Sequence, residues 1–555
     1  MHSLLLLAVF LPYLVNLESS ALWDSNESFY AETPREMLET GNFLAPMFNY
    51  MPRVQKPPLT YWWILPGYAT VGIRELGVRL PTAFAVLCTL FLTYAIARLQ
   101  FSARTALVAA AILATTPRLF ITARKLPIDA LLLLWLTATA YFLMRAALTR
   151  SRRDLLMAGA CAGLGFLTKG PLACAIPLMS CLLWRLWDRR CKLTPLRILG
   201  AALVLIAVAA PWYVLTYLRY GWIYITEFFL QDNFARYATE PKGPARGVFY
   251  YFAVYASDFF PWSLLTLPGL AWLWRERKKL PGEQGVTFAF PLIWSAVTFL
   301  FFSLSKNKQE YYILPLYPMM AIVLAGVFER AFSTGERDQQ RLRGFWMGSM
   351  LAAALLFAVL ALTSPLVMPA LIPDSPAVLH YAPAGLLALA AGVLFWYGGR
   401  GRFRRCVVSI IATLWLGFLL AAQAYLPALE KRRPVKEICR IILSVAQPAD
   451  EIGYYRAAVP SMVFYLRRPV FSISHPPAMA EKLRGPARVF CVIGDRDYQY
   501  LKEQFGLVLH VLNRYPQMPT QLGIMLGNGS SAGAGEPLLL ISNRAAPEVQ
   551  THSRH

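Results

Sequence analysis

Cysteine is sparse and unpatterned in this chain. The eight Cys residues follow neither a metal-binding nor a secretory spacing, which removes a zinc module and a disulfide framework as organising devices. Cys88, Cys161, Cys174, Cys181, Cys191 and Cys406 lie in or beside apolar runs and read as small buried hydrophobes. Cys439 and Cys491 fall in a polar C-terminal segment, where a disulfide between them is left open. Acid is scarce as well: 31 Asp and Glu face 54 Lys and Arg, a formal net charge of +23. In a soluble chain that excess would suggest nucleic acid. Here the basic residues sit in short loops between apolar runs, where they set membrane topology, so the reading is no nucleic acid. The start lacks a basic region and a small-x-small cleavage site, so Leu4–Leu17 reads as a first membrane helix, not a signal peptide. An internal repeat is also lacking, and the polar clusters gather at one face rather than at the membrane midplane. Both features count against the main rival class, a membrane transporter of a lipid or anionic solute.

What the chain has is apolar length. Hydrophobic residues make up 57% of it, with a mean hydropathy of +0.44, and a membrane span needs ~20 mostly apolar residues to cross ~30 Å. About thirteen spans are expected, at 3–17, 80–99, 105–122, 127–146, 155–168, 171–187, 197–217, 247–273, 287–304, 310–328, 345–369, 380–398 and 405–425. The pair 155–168 and 171–187 flanks a polar Thr168-Lys169-Gly170 and could form one broken or re-entrant element. Lys and Arg crowd every second loop, at Arg98–Arg104, Arg150–Arg153, Arg185–Arg197, Arg275–Lys279, Arg330–Arg343 and Arg400–Arg405, whereas loop 370–379 has none. The positive-inside rule makes the crowded side cytoplasmic and places the first long loop, 18–79, and the segment 426–555 outside. In that last segment the apolar runs shorten to strand length, at Glu451–Tyr455, Val470–Ile473, Arg488–Ile493, Leu507–Val511 and Leu538–Ile541. Helix-like stretches such as Ser461–Arg467 and Asp497–Gln504 lie between them. The expected architecture is an α-helical polytopic membrane protein, residues 1–425, with a small C-terminal α/β periplasmic domain, residues 426–555. Gly527–Gly535 reads as a flexible linker.

Charges that topology does not explain are the functional candidates, because charge at membrane depth is costly. Asp24, Ser25 and Glu27 open a partly apolar outer helix, where acids also serve as ordinary caps. Pro57-Pro58 hold Lys56 before an aromatic interfacial segment, Tyr61-Trp62-Trp63; there it can meet a lipid phosphate or simply snorkel. Arg124 and Lys125 break the positive-inside pattern just before Asp129, which opens an apolar span. Lys169, Arg236, Lys306 and Lys308 add cations on the outer side. Carboxylates and cations around one face of a bundle are what an anionic lipid head group and an acid/base reaction require.

In order, these residues resemble the bacterial GT-C glycosyltransferases. The carrying motifs are Trp23-x-x-x-Glu27-x-x-Tyr30-Ala31-Glu32-x-x-Arg35-Glu36-Met37-Leu38, Lys56-Pro57-Pro58-Leu59-x-Tyr61-Trp62, Asp129, Phe166-Leu167-Thr168-Lys169-Gly170, Pro211-Trp212, and Phe301-Phe302-Ser303-x-Ser305-Lys306-x-Lys308-x-x-x-Tyr312-Ile313-Leu314-Pro315. They span about residues 18–320 and are most similar to the aminoarabinose transferases that modify lipid A and to the protein O-mannosyltransferases. The resemblance implies a sugar donor on undecaprenyl phosphate or a similar polyprenyl phosphate, and inverting transfer at the periplasmic face of the inner membrane. The acceptor would be a lipid, a glycan or a protein. No cofactor is required by it, and a divalent metal is left open. It implies that Lys56 contacts the carrier phosphate, that Tyr312 lies near it, and that Asp129 and Glu27 are the family carboxylates. Arg124, Lys169, Arg236, Lys306 and Lys308 complete the expected phosphate-binding set, and Asp24, Glu27 and Asp129 the expected catalytic set. Three departures stand out: Asn26 where the family has Asp, Phe29 where the transferases often have Arg, and Gln55 where Glu often precedes the lysine. Asn26 is no base, so another carboxylate supplies one or the acceptor is already ionised.

Overall fold

Helices that are apolar around their whole circumference have no polar face to offer water, so they bury against one another or against lipid. The computed structural model describes residues 2–24, 26–187, 194–230, 246–276, 282–331, 336–457, 459–515 and 537–545. Its first half runs α1 (His2–Leu14), α2 (Glu27–Thr40), α3 (Leu59–Val71), α4 (Glu75–Arg98), α5 (Ala103–Ala114), α6 (Pro117–Lys125), α7 (Pro127–Thr149), α8 (Arg152–Lys169), α9 (Leu172–Trp187) and α10 (Pro195–Tyr220). The long apolar helices Glu336–Leu371, Ala377–Gly399 and Phe403–Leu420 follow later in the chain. Helix α7 is the axle of the bundle, with 72% of its apolar window buried between α4 and α8. By contrast α10 buries 11% and turns its leucines to lipid. Small residues set the closest crossing: a Cβ on Gly159 of α8 would lie 2.2 Å from the Ala201 carbonyl oxygen of α10, so only glycine lets these backbones approach.

The expected spans are met unevenly. Among the described residues six helices are long and apolar enough to cross a membrane, and the α5–α6 pair, bent by 64°, makes a seventh. Three shorter apolar helices, α1, α9 and Phe288–Leu304, add to these. The expected span 105–122 is broken because Pro117 cannot continue α5 and instead opens α6. The expected span 247–273 divides into Tyr250–Asp258 and Trp262–Glu276 around Pro261, and 310–328 begins with a 3₁₀ turn, Glu310–Leu316, before the helix Tyr317–Ala331. Segments 155–168 and 171–187 are two helices, α8 and α9, separated at Gly170, whose φ of 81° needs a residue without Cβ. Helix α3 was read only as an interfacial aromatic stretch.

The C-terminal region carries strands β3 (Glu451–Tyr455), β4 (Phe471–Ile473), β5 (Val489–Gly494), β6 (His510–Tyr515) and β7 (Leu538–Ser542), after a two-residue hairpin in the first loop, β1 (Met47–Phe48) and β2 (Met51–Pro52). The sheet order is β4-β3-β5-β7-β6, with β3 parallel to β4 and β5, and β7 antiparallel to both β5 and β6. The expected strand 507–511 starts three residues later, and Val435–Val445 and Pro476–Arg484 form helices that the reading passed over. Cys439 and Cys491 are both free, buried in separate apolar clusters, so the disulfide left open does not form. Gly527–Gly535 lies outside the described residues.

Candidate active site

The loop after α1 is fastened first. Glu27, wholly buried at the start of α2, receives Arg79 Nε on one carboxylate oxygen at 2.6 Å and Nη2 on the other at 2.9 Å. Arg79 also donates to the carbonyls of Leu17, Ser20 and Ala21, and the Trp23 amide closes on Glu27 at 2.9 Å. Arg124 does the same for α1, donating to the carbonyls of Val15 at 2.9 Å and Asn16 at 2.8 Å, where a cation also suits the helix dipole. The local gain from this cation, which departs from the expected positive-inside pattern, is therefore a helix cap. Asp24 ties the loop to the C-terminal region: Oδ1 accepts from the Ser461 amide at 3.1 Å and from the Ser461 hydroxyl, and Oδ2 lies 3.5 Å from Arg433. Burial pushes the Asp24 carboxyl above its ordinary range, against the pull of Ser461 and Arg433. Asn26 takes the N-cap position of α2 without a capping side-chain bond.

Asp129 stands apart from these clamps. Pro127 at the first turn starts α7 and sets Asp129 two residues in, with its carboxylate 6% exposed. At the end of α8, Lys169 turns back toward it, and Nζ meets Asp129 Oδ1 at 2.5 Å. The same ammonium lies 5.3 Å from the Tyr311 ring and 5.2 Å from that of Tyr312, and Tyr312 rests on Phe302. A cavity of about 10 Å³, room for roughly one water, is lined by Asp129, Lys169, Tyr311 and Tyr312 with Leu132, Leu133 and Pro315. A carboxylate, an ammonium and two phenols thus line one small pocket, the groups needed to orient an acceptor and to neutralise a leaving phosphate.

The other expected cations divide. Lys56 is half-buried behind the buried Pro57 and Pro58. Lys306 is exposed, whereas Lys308 is buried and its ammonium donates to the Ser305 carbonyl within its own loop. That loop is held further by Arg246, which donates to the Lys308 carbonyl at 2.7 Å and pairs with Glu310 at 3.2 Å. Arg236 lies outside the described residues. Among those residues no three His, Cys, Asp or Glu side chains converge as a metal-binding group.

Sequence reasoning passed over Arg79, Tyr311, Arg433 and the acidic face of α2. Arg79 carried a signal, a cation at the entry to the apolar run of α4. On α2, Arg35 is bidentate to buried Glu32, at 2.8 and 2.6 Å, and reaches Glu39 at 2.6 Å. Glu36 accepts from the Tyr50 amide at 3.1 Å. Burial, and then the neighbouring Glu32 carboxyl, push Glu36 up to about 8. Tyr30, on the same helix, is buried against Tyr61 and within electrostatic reach of Asp129 and Tyr311, which sets α2 beside the pocket.

The chain is similar to known proteins. The dolichyl-phosphate-mannose-protein mannosyltransferase family matches residues 55–214. An undecaprenyl phosphate-α-4-amino-4-deoxy-L-arabinose arabinosyl transferase from Erwinia tasmaniensis is 30% identical over 435 residues, 75% of either chain. An uncharacterised protein from Aquifex aeolicus is 32% identical over 58% of this chain and 62% of its own length. The fold matches the crystal structure of ArnT from Cupriavidus metallidurans bound to undecaprenyl phosphate, with a TM-score of 0.74 at 21% identity over 98% of each chain. The chain belongs to the undecaprenyl phosphate-aminoarabinose arabinosyl transferase family of the GT-C superfamily, and is a polyprenyl-phosphate-dependent, multi-pass membrane glycosyltransferase.

Proposed function

We propose that the enzyme moves a sugar from an undecaprenyl-phosphate carrier to a lipid, glycan or protein acceptor on the periplasmic face of the bacterial inner membrane, with inversion. Residues 1–425 form the transferase bundle and 426–555 an outer α/β domain. The acceptor oxygen forms a bond to the anomeric carbon. The bond from that carbon to the carrier phosphate oxygen breaks, and the phosphate leaves with the electron pair. The observation that carries the reading is the Asp129–Lys169 pair under Tyr311 and Tyr312. Lys169, Lys56 and Lys306 neutralise the leaving phosphate and Tyr312 donates a hydrogen bond to it, with Arg236 on the same outer side, while Asp129 orients the acceptor and takes its proton where it has one. Glu27, Asp24, Arg124 and Lys308 act as positioning residues, each held by the contacts described above. The bound undecaprenyl phosphate of the Cupriavidus relative supports the donor class.

Comparison of lipid, glycan and protein products from cells with and without the gene tests the reading. One acceptor should lose one sugar in the deletion and regain it with wild-type protein but not with Asp129→Asn. Unchanged glycosylation of all three classes, with undecaprenyl-phosphate sugar failing to accumulate, would refute it.

A further inference from the structure

Arg118 and Asp258 carry charge into two expected membrane spans, 105–122 and 247–273, where charge is costly. Both spans break there, at Pro117 and Pro261. The guanidinium and the carboxylate meet in two bonds, Nε to Oδ2 at 2.7 Å and Nη2 to Oδ1 at 2.9 Å. Helix capping accounts for neither charge. Arg118 lies in the first turn of α6, and Asp258 ends the helix Tyr250–Asp258, so each opposes the dipole of its own helix. The two breaks are also joined without the pair, because Trp262 Nε1 donates to the Thr115 hydroxyl at 3.2 Å.

What the pair holds is Tyr317. Its hydroxyl donates to Asp258 Oδ2 at 3.2 Å, and its buried ring stacks on Phe259 at 5.4 Å. Tyr317 directly follows the 3₁₀ turn Glu310–Leu316. At the other end of that turn, Tyr251 donates to the Gln309 carbonyl at 3.1 Å and Tyr250 to the Glu310 carboxylate at 2.9 Å. The helix Tyr250–Asp258 therefore grips the turn at both ends. The lengths agree. The helix advances ~12 Å from Tyr250 to Asp258 at ~1.5 Å per residue. The turn advances ~14 Å from Glu310 to Tyr317 at ~2.0 Å per residue. Support of this kind is needed, because 3₁₀ runs beyond about 3–4 residues are uncommon and this one has 7. With roughly three residues per turn, side chains three apart share an edge. Tyr311 with Leu314 makes one edge and Tyr312 with Pro315 another, and all four line the Asp129 pocket. Glu310 and Ile313 make the third edge, and Glu310 is the residue that Tyr250 grips. Rewinding to an α-helix, at ~3.6 residues per turn, would break this register.

We propose that Asp258 is a positioning residue of the transferase: paired with Arg118, it anchors Tyr317 and so keeps the turn wound with Tyr311 and Tyr312 facing the donor phosphate. This rests on the reading above that Tyr312 donates a hydrogen bond to that phosphate. Asp258 acts through Tyr317 and the turn, not on the reacting atoms.

The test measures undecaprenyl phosphate affinity, amide exchange over Glu310–Leu316 and thermal stability on full-length protein in detergent. Tyr317→Phe deletes the hydroxyl tie and keeps the ring stack. It should weaken undecaprenyl phosphate binding about fivefold, the scale of one hydrogen bond. In a Tyr312→Phe background the same substitution should change affinity less than about twofold, because the two hydroxyls act through one contact. Arg118→Met combined with Asp258→Leu strands no buried charge. Its melting temperature should stay near wild type, while affinity falls as in Tyr317→Phe and exchange over Glu310–Leu316 quickens. Equal losses from Tyr317→Phe in both backgrounds, or wild-type affinity in the Arg118→Met, Asp258→Leu protein, would overturn the proposal. Wild-type affinity in Tyr312→Phe would instead strike at the reading of that tyrosine. Exchange then still decides whether Asp258 holds the turn: quickened exchange in the Arg118→Met, Asp258→Leu protein sustains the anchor, and unchanged exchange overturns it.

Discussion

Two ion pairs of similar appearance have opposite expected roles. Glu27 and Arg79 are both buried, and every polar atom of the pair that carries a described bond is directed at the first loop. Removing one charge from such a pair leaves the other buried and uncompensated, which costs about 3–5 kcal/mol. Glu27→Gln should therefore lower thermal stability by several degrees while turnover per folded molecule stays within about threefold of wild type; a large loss of turnover at unchanged stability would return Glu27 to the catalytic set. Asp129 and Lys169 instead line a pocket with two phenols, and their loss should appear in rate. Lys56 and Lys308 separate in the same way. Lys56→Ala should weaken undecaprenyl phosphate binding at least tenfold with expression intact. Lys308→Ala should loosen the 303–310 loop through the lost bond to Ser305, measured as faster amide exchange there.

At the scale of the element, α2 links stability to pH. Glu36 is held near 8 by burial and by Glu32, whereas an ordinary carboxyl titrates near 4.5. A raised folded value means that the neutral form is favoured by folding. Its stabilising contribution is complete below about pH 4.5 and is lost as pH rises toward 8. Melting temperature should fall across that window in wild type and flatten in Glu36→Gln; parallel curves would remove Glu36 as the cause. Elements were also where the sequence was read best and worst. Strand β3 and the apolar segments of α4 and α7 follow from composition, because period and hydropathy report burial directly. The bend at Pro117 and the breaks at Pro261 and Tyr317 were missed, since a hydropathy window averages over a local kink. Asp129 and Lys169 were each legible as charges at span ends, but their 2.5 Å pairing joins residues 40 apart in sequence and needed the fold. The acids of α2 fitted ordinary solvated caps as well as a functional motif, and their burial against the hairpin and α3 decides against solvated charge for Glu32 and Glu36.

For the whole molecule, the proposed orientation, drawn from the alternating basic loops, puts the Asp129 pocket and the C-terminal sheet on one side of the membrane. In a cysteine-free background, a membrane-impermeant thiol reagent applied from outside should modify Ser375→Cys and spare Arg404→Cys; the reverse pattern would invert the orientation. The central claim is that a buried carboxylate paired with Lys169 does the chemistry on a polyprenyl-phosphate sugar. It is tested most directly by single-turnover transfer from a labelled undecaprenyl-phosphate sugar, with donor binding measured on the same preparation of wild type and Asp129→Asn. The account predicts a rate loss of ~10²–10⁴ with donor affinity retained. Wild-type turnover by Asp129→Asn would contradict it.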